Sequence, residues 1–213
     1  MIKNNPFREY APQYDAWYDK YPYVFQSEVE AIRQQLATLP QNLLGIEVGL
    51  GTGRFAVALG IKEGIEPIQE MAEFASKRGI EIMKGVAENL PYRDLHFDFV
   101  LFVTICHLDN VTMALKEAHR VLKNEGSIIL GFLDKNQEIA KSYEAKRRSS
   151  HFFQDATFYS VDRISTLLKD AGFRNFEFKQ TLFGKIDDIV EKQPLKNGFG
   201  EGSFVVVKAN KKV

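Results

Sequence analysis

Residues 43–55 read LLGIEVGLGTGRF. The apolar side chains of Leu43, Leu44, Ile46 and Val48 run into three glycines, Gly49, Gly51 and Gly53, and a helix-compatible segment follows. Such a run is a buried parallel strand that ends in a tight turn and opens a helix. Glycine at the turn accepts a positive φ and lets a ligand approach the backbone with no Cβ in the way. One polar residue interrupts the apolar strand, Glu47, two positions before the first glycine.

The glycine spacing narrows the ligand. A dinucleotide turn is G-x-G-x-x-G/A, with a small third residue and free amides facing a pyrophosphate. Here Arg54 stands where that small residue belongs, and the third glycine comes one position early, at Gly53. A carboxylate at Glu47 would repel a pyrophosphate and suits an ammonium or sulfonium group. Residues 61–67, IKEGIEP, read as a second short strand ending at Glu66. An acid about 20 residues beyond such a turn can accept hydrogen bonds from both ribose hydroxyls of an adenosine. Alone, Glu66 would be a solvated strand-end carboxylate; beside Glu47 and the glycines it reads as the ribose acceptor.

The pattern E-x-G-x-G-x-G resembles the nucleotide loop of the class I S-adenosylmethionine (SAM) dependent methyltransferases. The likeness continues in order along the chain. GIEPIQEM (64–71) resembles the family's second strand and following helix. GVAENLPYRDLHFDFVLF (85–102) resembles its G-D-A-E-x-L-P-F segment and F-D-x-V strand. ALKEAHRVLKNEGSIIL (114–130) resembles its E-x-x-R-V-L-K-P-G-G helix, turn and fifth strand. The resemblance spans residues 15–178, and the nearest branch is the small-molecule enzymes related to quinone biosynthesis. It implies SAM as cofactor and S-adenosylhomocysteine as product. It places the cofactor against Tyr14, Tyr18, Glu47, Gly49, Gly51, Gly53, Glu66, Pro67, Ala87, Glu88 and Val103. Two positions depart from the family. Val86 stands where an acid usually holds the adenine amino group, which leaves that role to backbone near Ala87 and Glu88 or to the Glu88 side chain. The P-G-G turn is Asn124, Glu125, Gly126.

The remaining elements follow from periodicity. Residues 1–13 read as a loose, proline-broken arm, and 14–39 as helix interrupted near Pro22. Helices are predicted at 53–59, 68–78, 110–122 and 135–148, and after an N-cap at Ser160 with Val161, Ile164, Leu167 and Leu168 facing inward. Further strands are predicted at 80–84, 97–103, 127–133, 175–183 and 203–208. Strands alternating with helices make a doubly wound, mostly parallel α/β sheet. The last two strands lack an intervening helix and should pair antiparallel at one edge. The family's version is a Rossmann-like, seven-stranded sheet. The expectation is one domain over 1–213, with 1–40 as a helical lid and 134–159 as an insertion near the acceptor pocket.

Methyl transfer from a sulfonium is an in-line displacement dominated by proximity and orientation. A base is required only if the acceptor must lose a proton, so no catalytic residue is assigned. Tyr14, Trp17 and Tyr18 lie in a segment resembling Y-D-x-W-Y, where relatives cap the pocket. Aromatic faces there favour a cation; Trp17 either walls the pocket or packs the helix. His107, after the fourth strand, is either a substrate contact or a strand-end histidine. Tyr143, in the insertion, is a third pocket candidate. Cys106 reads as buried and unactivated, and His96, His119 and His151 as structural. Lys141, Lys146, Arg147 and Arg148 read as a solvated helix face. No cluster has metal-ligand spacing.

Composition sets the outer bounds. The 213 residues carry 28 Lys plus Arg and 28 Asp plus Glu, so the formal net charge is zero and there is no global field for nucleic acid. The lone cysteine fits a reducing cytosol. The N-terminus lacks the apolar stretch of a secretory signal, and the longest apolar run, 99–106, is too short for a bilayer. The expected partner is a small molecule rather than nucleic acid or membrane, in the cytoplasm. An RNA or protein methyltransferase would show a basic stripe or an N-P-P-Y-like motif after the fourth strand, where this chain has Val103, Thr104, Ile105, Cys106. A nonenzymatic SAM-binding protein is the other alternative.

Overall fold

A computed structural model describes residues 6–212. The apolar run of the glycine turn becomes β1 (Gly45–Val48), flanked by β2 (Glu63–Ile65) and β4 (Phe97–Val103). β3 (Glu81–Met83) lies outside β2, and β5 (Leu122–Leu133) beside β4. These five strands are parallel. β4 has a single polar residue, Asp98, because both of its faces are covered. β6 (Phe173–Thr181) and β8 (Phe204–Lys211) are antiparallel, with β8 inserted between β5 and β6.

The sheet has eight strands where the resemblance implied seven. The extra one is β7 (Lys196–Asn197), which pairs with Lys179 and Gln180 at the edge. The glycine-rich loop between β6 and β8 folds back along β6, and two residues carry too little pattern to register as a strand.

Helices cover both faces. On one, α6 (Val111–Val121) and α8 (Val161–Asp170) bury the apolar stripes that their spacing predicted. Asn110 caps the first by accepting from the Met113 amide, and Ser160 caps the second by accepting from Arg163. The other face takes α3 (Pro22–Leu36) and α4 (Arg54–Leu59), with α5 (Gln69–Lys77) against the glycine turn. The predicted charged helix is α7 (Glu138–Ala145), followed by a 3-10 turn.

The N-terminal segment corrects the expectation of a loose arm. Residues 6–9 and 11–13 are helical, in α1 (Pro6–Glu9) and the start of α2 (Ala11–Lys20), with a bend at Tyr10, while 1–5 lie outside the described residues. Pro12 and Pro22 sit in the first turns of α2 and α3, where the missing N–H costs nothing. Val24, Ala31 and Ile32 of α3 are buried against β5, β6 and β8, whereas α1 packs on α2 and α5, and α2 on α1 and α3. Among the described residues no helix is long and apolar enough to cross a membrane.

Candidate active site

The strand order reverses between β1 and β4, and open α/β sheets bind ligands beyond the strand ends at such a point. The glycine turn sits there. The amides of Gly49 and Leu50 both donate to the Ile65 carbonyl, at 2.9 and 3.1 Å, and pin the turn to β2. Gly49, Gly51 and Gly53 all have positive φ, but their missing side chains serve different ends. A Cβ on Gly53 would stand 2.7 Å from the Ala75 Cβ, so this glycine lets α5 pack. A Cβ on Gly49 would meet nothing within 4 Å, which leaves that stretch of backbone open. At Gly51 it would lie 3.4 Å from Met71 and 3.7 Å from the Tyr14 ring, under α2.

Glu66 is buried at the end of β2, and its two oxygens divide their work. One accepts the Gly51 amide at 2.8 Å and the other the Ile68 amide at 2.9 Å. Burial raises its pKa and both amides pull it back. Each oxygen keeps a lone pair for a further donor. Pro67, next along, is exposed. Glu47 is fully buried, and neither of its oxygens has a hydrogen-bond partner. Burial pushes its carboxyl up to about 8, with the Ala56 amide offsetting part of the rise and Glu66 adding to it. An orphaned acid beneath an open glycine turn fits a ligand that brings positive charge and hydroxyl donors, as SAM does. On the adenine side, Val86 is exposed and Ala87 buried. Glu88 gives one oxygen to the Asn110 amide, 2.9 Å away, at the entrance to α6. That engages the side chain in holding a helix start and leaves backbone near Ala87 as the freer reading surface.

Arg54, which excludes a dinucleotide turn, has a positive task as well. It donates to both oxygens of Asp15, at 3.0 and 2.8 Å, and to both of Asp19, at 2.7 and 2.8 Å. Arg78 adds a 2.8 Å bond to Asp15 and a 2.7 Å bond to the Thr52 carbonyl. Burial alone would raise the Asp15 carboxyl; the two guanidiniums outweigh it and hold the group well below the usual carboxylate range. These bonds latch α2 onto the glycine turn and α5. The signal in the sequence was Asp15 and Asp19, one helical turn apart, with basic partners more than thirty residues away.

Beneath α2 lies a cavity of about 140 Å³. Its walls come from α2, α3, the segment after β4, and the 134–159 insertion, and they bring Tyr14, Tyr18, Val103, Trp17, His107 and Tyr143 together. The Tyr14 and Tyr18 hydroxyls are 2.8 Å apart. Tyr143 stacks on Phe153 with ring centres 4.2 Å apart. His107 lines the cavity while remaining exposed to solvent, and desolvation on its cavity side lowers its pKa despite Asp155, so its imidazole is neutral at pH 7. Burial pushes the Cys106 thiol up to about 11, so no thiolate forms there. Arg147 turns inward to the Ala156 carbonyl and ties the insertion together, which breaks up the basic cluster. His151 stacks on Tyr10, His119 packs on Phe173, and His96 packs on Phe97.

Sequence reasoning missed Glu28. It sits in α3 one turn after Val24; both line the cavity, and Glu28 is only 7% exposed. Burial alone pushes its carboxyl up to about 8. The available signal was an acid four residues from Val24 and Ile32, on the helix face that is otherwise apolar.

Known proteins resemble this chain in sequence and in fold. The family described as a methyltransferase domain matches residues 46–130. An uncharacterised protein of Methanocaldococcus jannaschii is 41% identical over 208 residues, covering 97% of this chain and 99% of its own. The crystal structure of a SAM-dependent methyltransferase from Thermotoga maritima, called a “possible histamine N-methyltransferase”, is similar with a TM-score of 0.92. It is 42% identical, covering 97% of this chain and 98% of that one. The ubiquinone/menaquinone biosynthesis C-methyltransferase of Rickettsia bellii is 25% identical, over 84% of this chain and 87% of its own. The chain belongs to the class I SAM-dependent methyltransferases. It is an enzyme with a Rossmann-like α/β fold, and SAM is its cofactor.

Proposed function

We infer that the enzyme methylates a small molecule held in the aromatic cavity under α2. The observation that carries this is the cavity itself. At about 140 Å³ it is the size of a single aromatic ring, and α2, α3 and the insertion wall it in. In this reading Glu47, Gly49, Gly51 and Gly53 hold the amino-acid half of SAM. Glu66 and Pro67 hold the ribose, backbone at Ala87 and Glu88 the adenine, and Tyr14, Tyr18 and Val103 border the sulfonium. SAM supplies an electrophilic methyl carbon, whose bonding electrons stay with sulfur as the acceptor attacks. The chain's own residues align the acceptor and exclude water. α1 and α2 serve as the cover, and the insertion shapes the acceptor side. The single buried thiol suits a cytosolic setting.

The description of the Thermotoga relative puts small amines first among acceptors to try. The test incubates the protein with radiolabelled SAM and, separately, a panel of small amines, phenols and carboxylates, total RNA, and a protein extract. Label should enter a small molecule. Transfer to RNA or protein that exceeds transfer to every small molecule would overturn the reading.

A further inference from the structure

We propose that Glu28 makes the cavity selective for an amine: its carboxylate pairs with the entering ammonium group and takes the proton whose loss frees the nitrogen lone pair. This rests on the reading of the cavity as the acceptor pocket. The chemistry of the walls carries it. Glu28 is the one acid among the lining residues, which include no lysine and no arginine. Among the described residues its carboxyl has no hydrogen-bond partner, while the Tyr14 and Tyr18 hydroxyls are bonded to each other. A buried acid without a partner destabilises a fold unless a ligand compensates it. The group that compensates a carboxylate is a cation with N–H donors. The surrounding faces of Tyr14, Trp17, Tyr143 and Phe153 favour the same ligand, since aromatic rings attract ammonium ions and bury a flat apolar body. An alcohol of the same shape gains neither the ion pair nor the cation–π attraction.

The proton step balances simply. An N–H bond of the ammonium breaks, an O–H bond forms on Glu28, and the electron pair stays on nitrogen. The opposite charges of the pair vanish together, so no net charge is left in the apolar pocket.

The pairing also sets a pH window. With the free carboxyl at about 8, amine binding must first strip its proton at lower pH, and affinity climbs as pH approaches that value. The other titratable groups facing the site titrate elsewhere. They are Tyr14 and Tyr18 on α2, Tyr143 on α7 and Tyr159 just before α8, all raised by burial, with Cys106 at about 11 and His107 lowered by desolvation after β4. Tyr21 and Asp187 lie beyond Tyr143 and are bonded to each other. Glu47, also at about 8, lies on the cofactor side and is common to every variant compared.

The experiment is calorimetry on the full chain. S-adenosylhomocysteine is titrated first; failure of the wild-type protein to bind it overturns the methyltransferase-site reading and this proposal with it. Phenethylamine, tyramine and histamine are then titrated into the loaded protein at pH 6.5 and 8.5, with 2-phenylethanol as the neutral isostere. At least one amine should bind tenfold or more tighter than the alcohol, and tenfold or more tighter at the higher pH. Glu28→Gln should bind S-adenosylhomocysteine normally and lose both differences. If that variant fails to bind S-adenosylhomocysteine, Glu28→Asp replaces it and should show a weakened amine preference. The proposal is overturned if the alcohol matches the amines, if no amine binds at millimolar concentration to protein that binds S-adenosylhomocysteine, or if the preference survives in the variant.

Discussion

Glu66 holds the glycine turn in place and, in the proposed reading, also takes the ribose. Read from the sequence it is a strand-end acid that becomes a ribose acceptor beside Glu47 and the glycines. In the structure it bridges the glycine turn and the start of α5 through the Gly51 and Ile68 amides. Removing it leaves two amides near buried surface without their acceptor. Glu66→Ala should therefore lower S-adenosylhomocysteine affinity by about 2–4 kcal/mol and also lower the melting temperature. Glu66→Gln keeps one acceptor oxygen and should recover part of both. Calorimetry and thermal melts separate the effects, and unchanged affinity in Glu66→Ala would remove the ribose role. Legibility at this scale depended on reach. Glu47 and the glycines were legible because their chemistry lies within seven consecutive positions. Glu28 was not, because an acid in a helix is ordinary and only the packing of α3 turns it inward. Arg54 was half legible: the sequence said what it prevents, and its partners on α2 were too distant to see.

At the scale of elements, α2 and α3 have different duties. α2 is held by ion pairs from Asp15 and Asp19 to Arg54 and Arg78, and α3 by apolar burial against β5, β6 and β8. Partly buried charge-assisted bonds to Asp15 give α2 a specific seat over the glycine turn. Arg54→Ala should free α2 without unfolding the domain, at a cost of roughly 1–3 kcal/mol. Hydrogen exchange across residues 11–20 should speed at least tenfold while the sheet stays protected, and added S-adenosylhomocysteine should slow it again. Exchange in 11–20 that matches the wild type would mean the latch does not hold the helix. Deletion gives the complementary result. A chain beginning at Tyr21 keeps α3 and should fold; one beginning at Leu39 exposes the core beneath α3 and should not, contrary to the lid boundary drawn from sequence. Circular dichroism settles both. α6 and α8 were legible, since each carries a clean apolar stripe and Ser160 announces the second, while the cap at Asn110 comes from the structure. β7 was not, because two residues paired only with their neighbour's backbone leave no pattern.

For the whole molecule, the buried acids bend the pH dependence of stability. Glu28 and Glu47 have folded-state pKa values of about 8, well above the ordinary carboxyl value, so the folded state binds their protons more tightly than the unfolded state does. Their contribution is complete below the unfolded value and is lost as pH rises through about 8. Asp15 acts in the opposite sense: its lowered pKa stabilises the fold at neutral pH, and that part is lost in acid. Stability should peak near pH 5. The melting temperature should fall by roughly 10–25 °C toward pH 9, given two acids at a few kcal/mol each and about 2–4 °C per kcal/mol at this size. Glu28→Gln and Glu47→Gln should each flatten that decline. A melting temperature that stays level from pH 5 to pH 9 would show that neither acid is buried in solution as described.

The insertion of β8 between β5 and β6 has a consequence for how the molecule comes into being. The glycine turn is assembled from β1, α4 and β2, all within about twenty consecutive residues, so its parts find one another early. The seat of α3 includes β8, and nearly the whole intervening chain must be ordered before residues 22–36 can dock on 204–211. Contacts of that span form slowly, because the loop they close costs entropy before any of them compensates. On a ribosome, the helix that carries Glu28 leaves the tunnel long before β8, the strand it docks on, and settles only after it. The glycine-turn half therefore has a history separate from the half that seats α3. Pulse-labelled exchange during refolding should protect residues 45–65 before residues 22–36; protection of both at one rate would mean the two halves are born together.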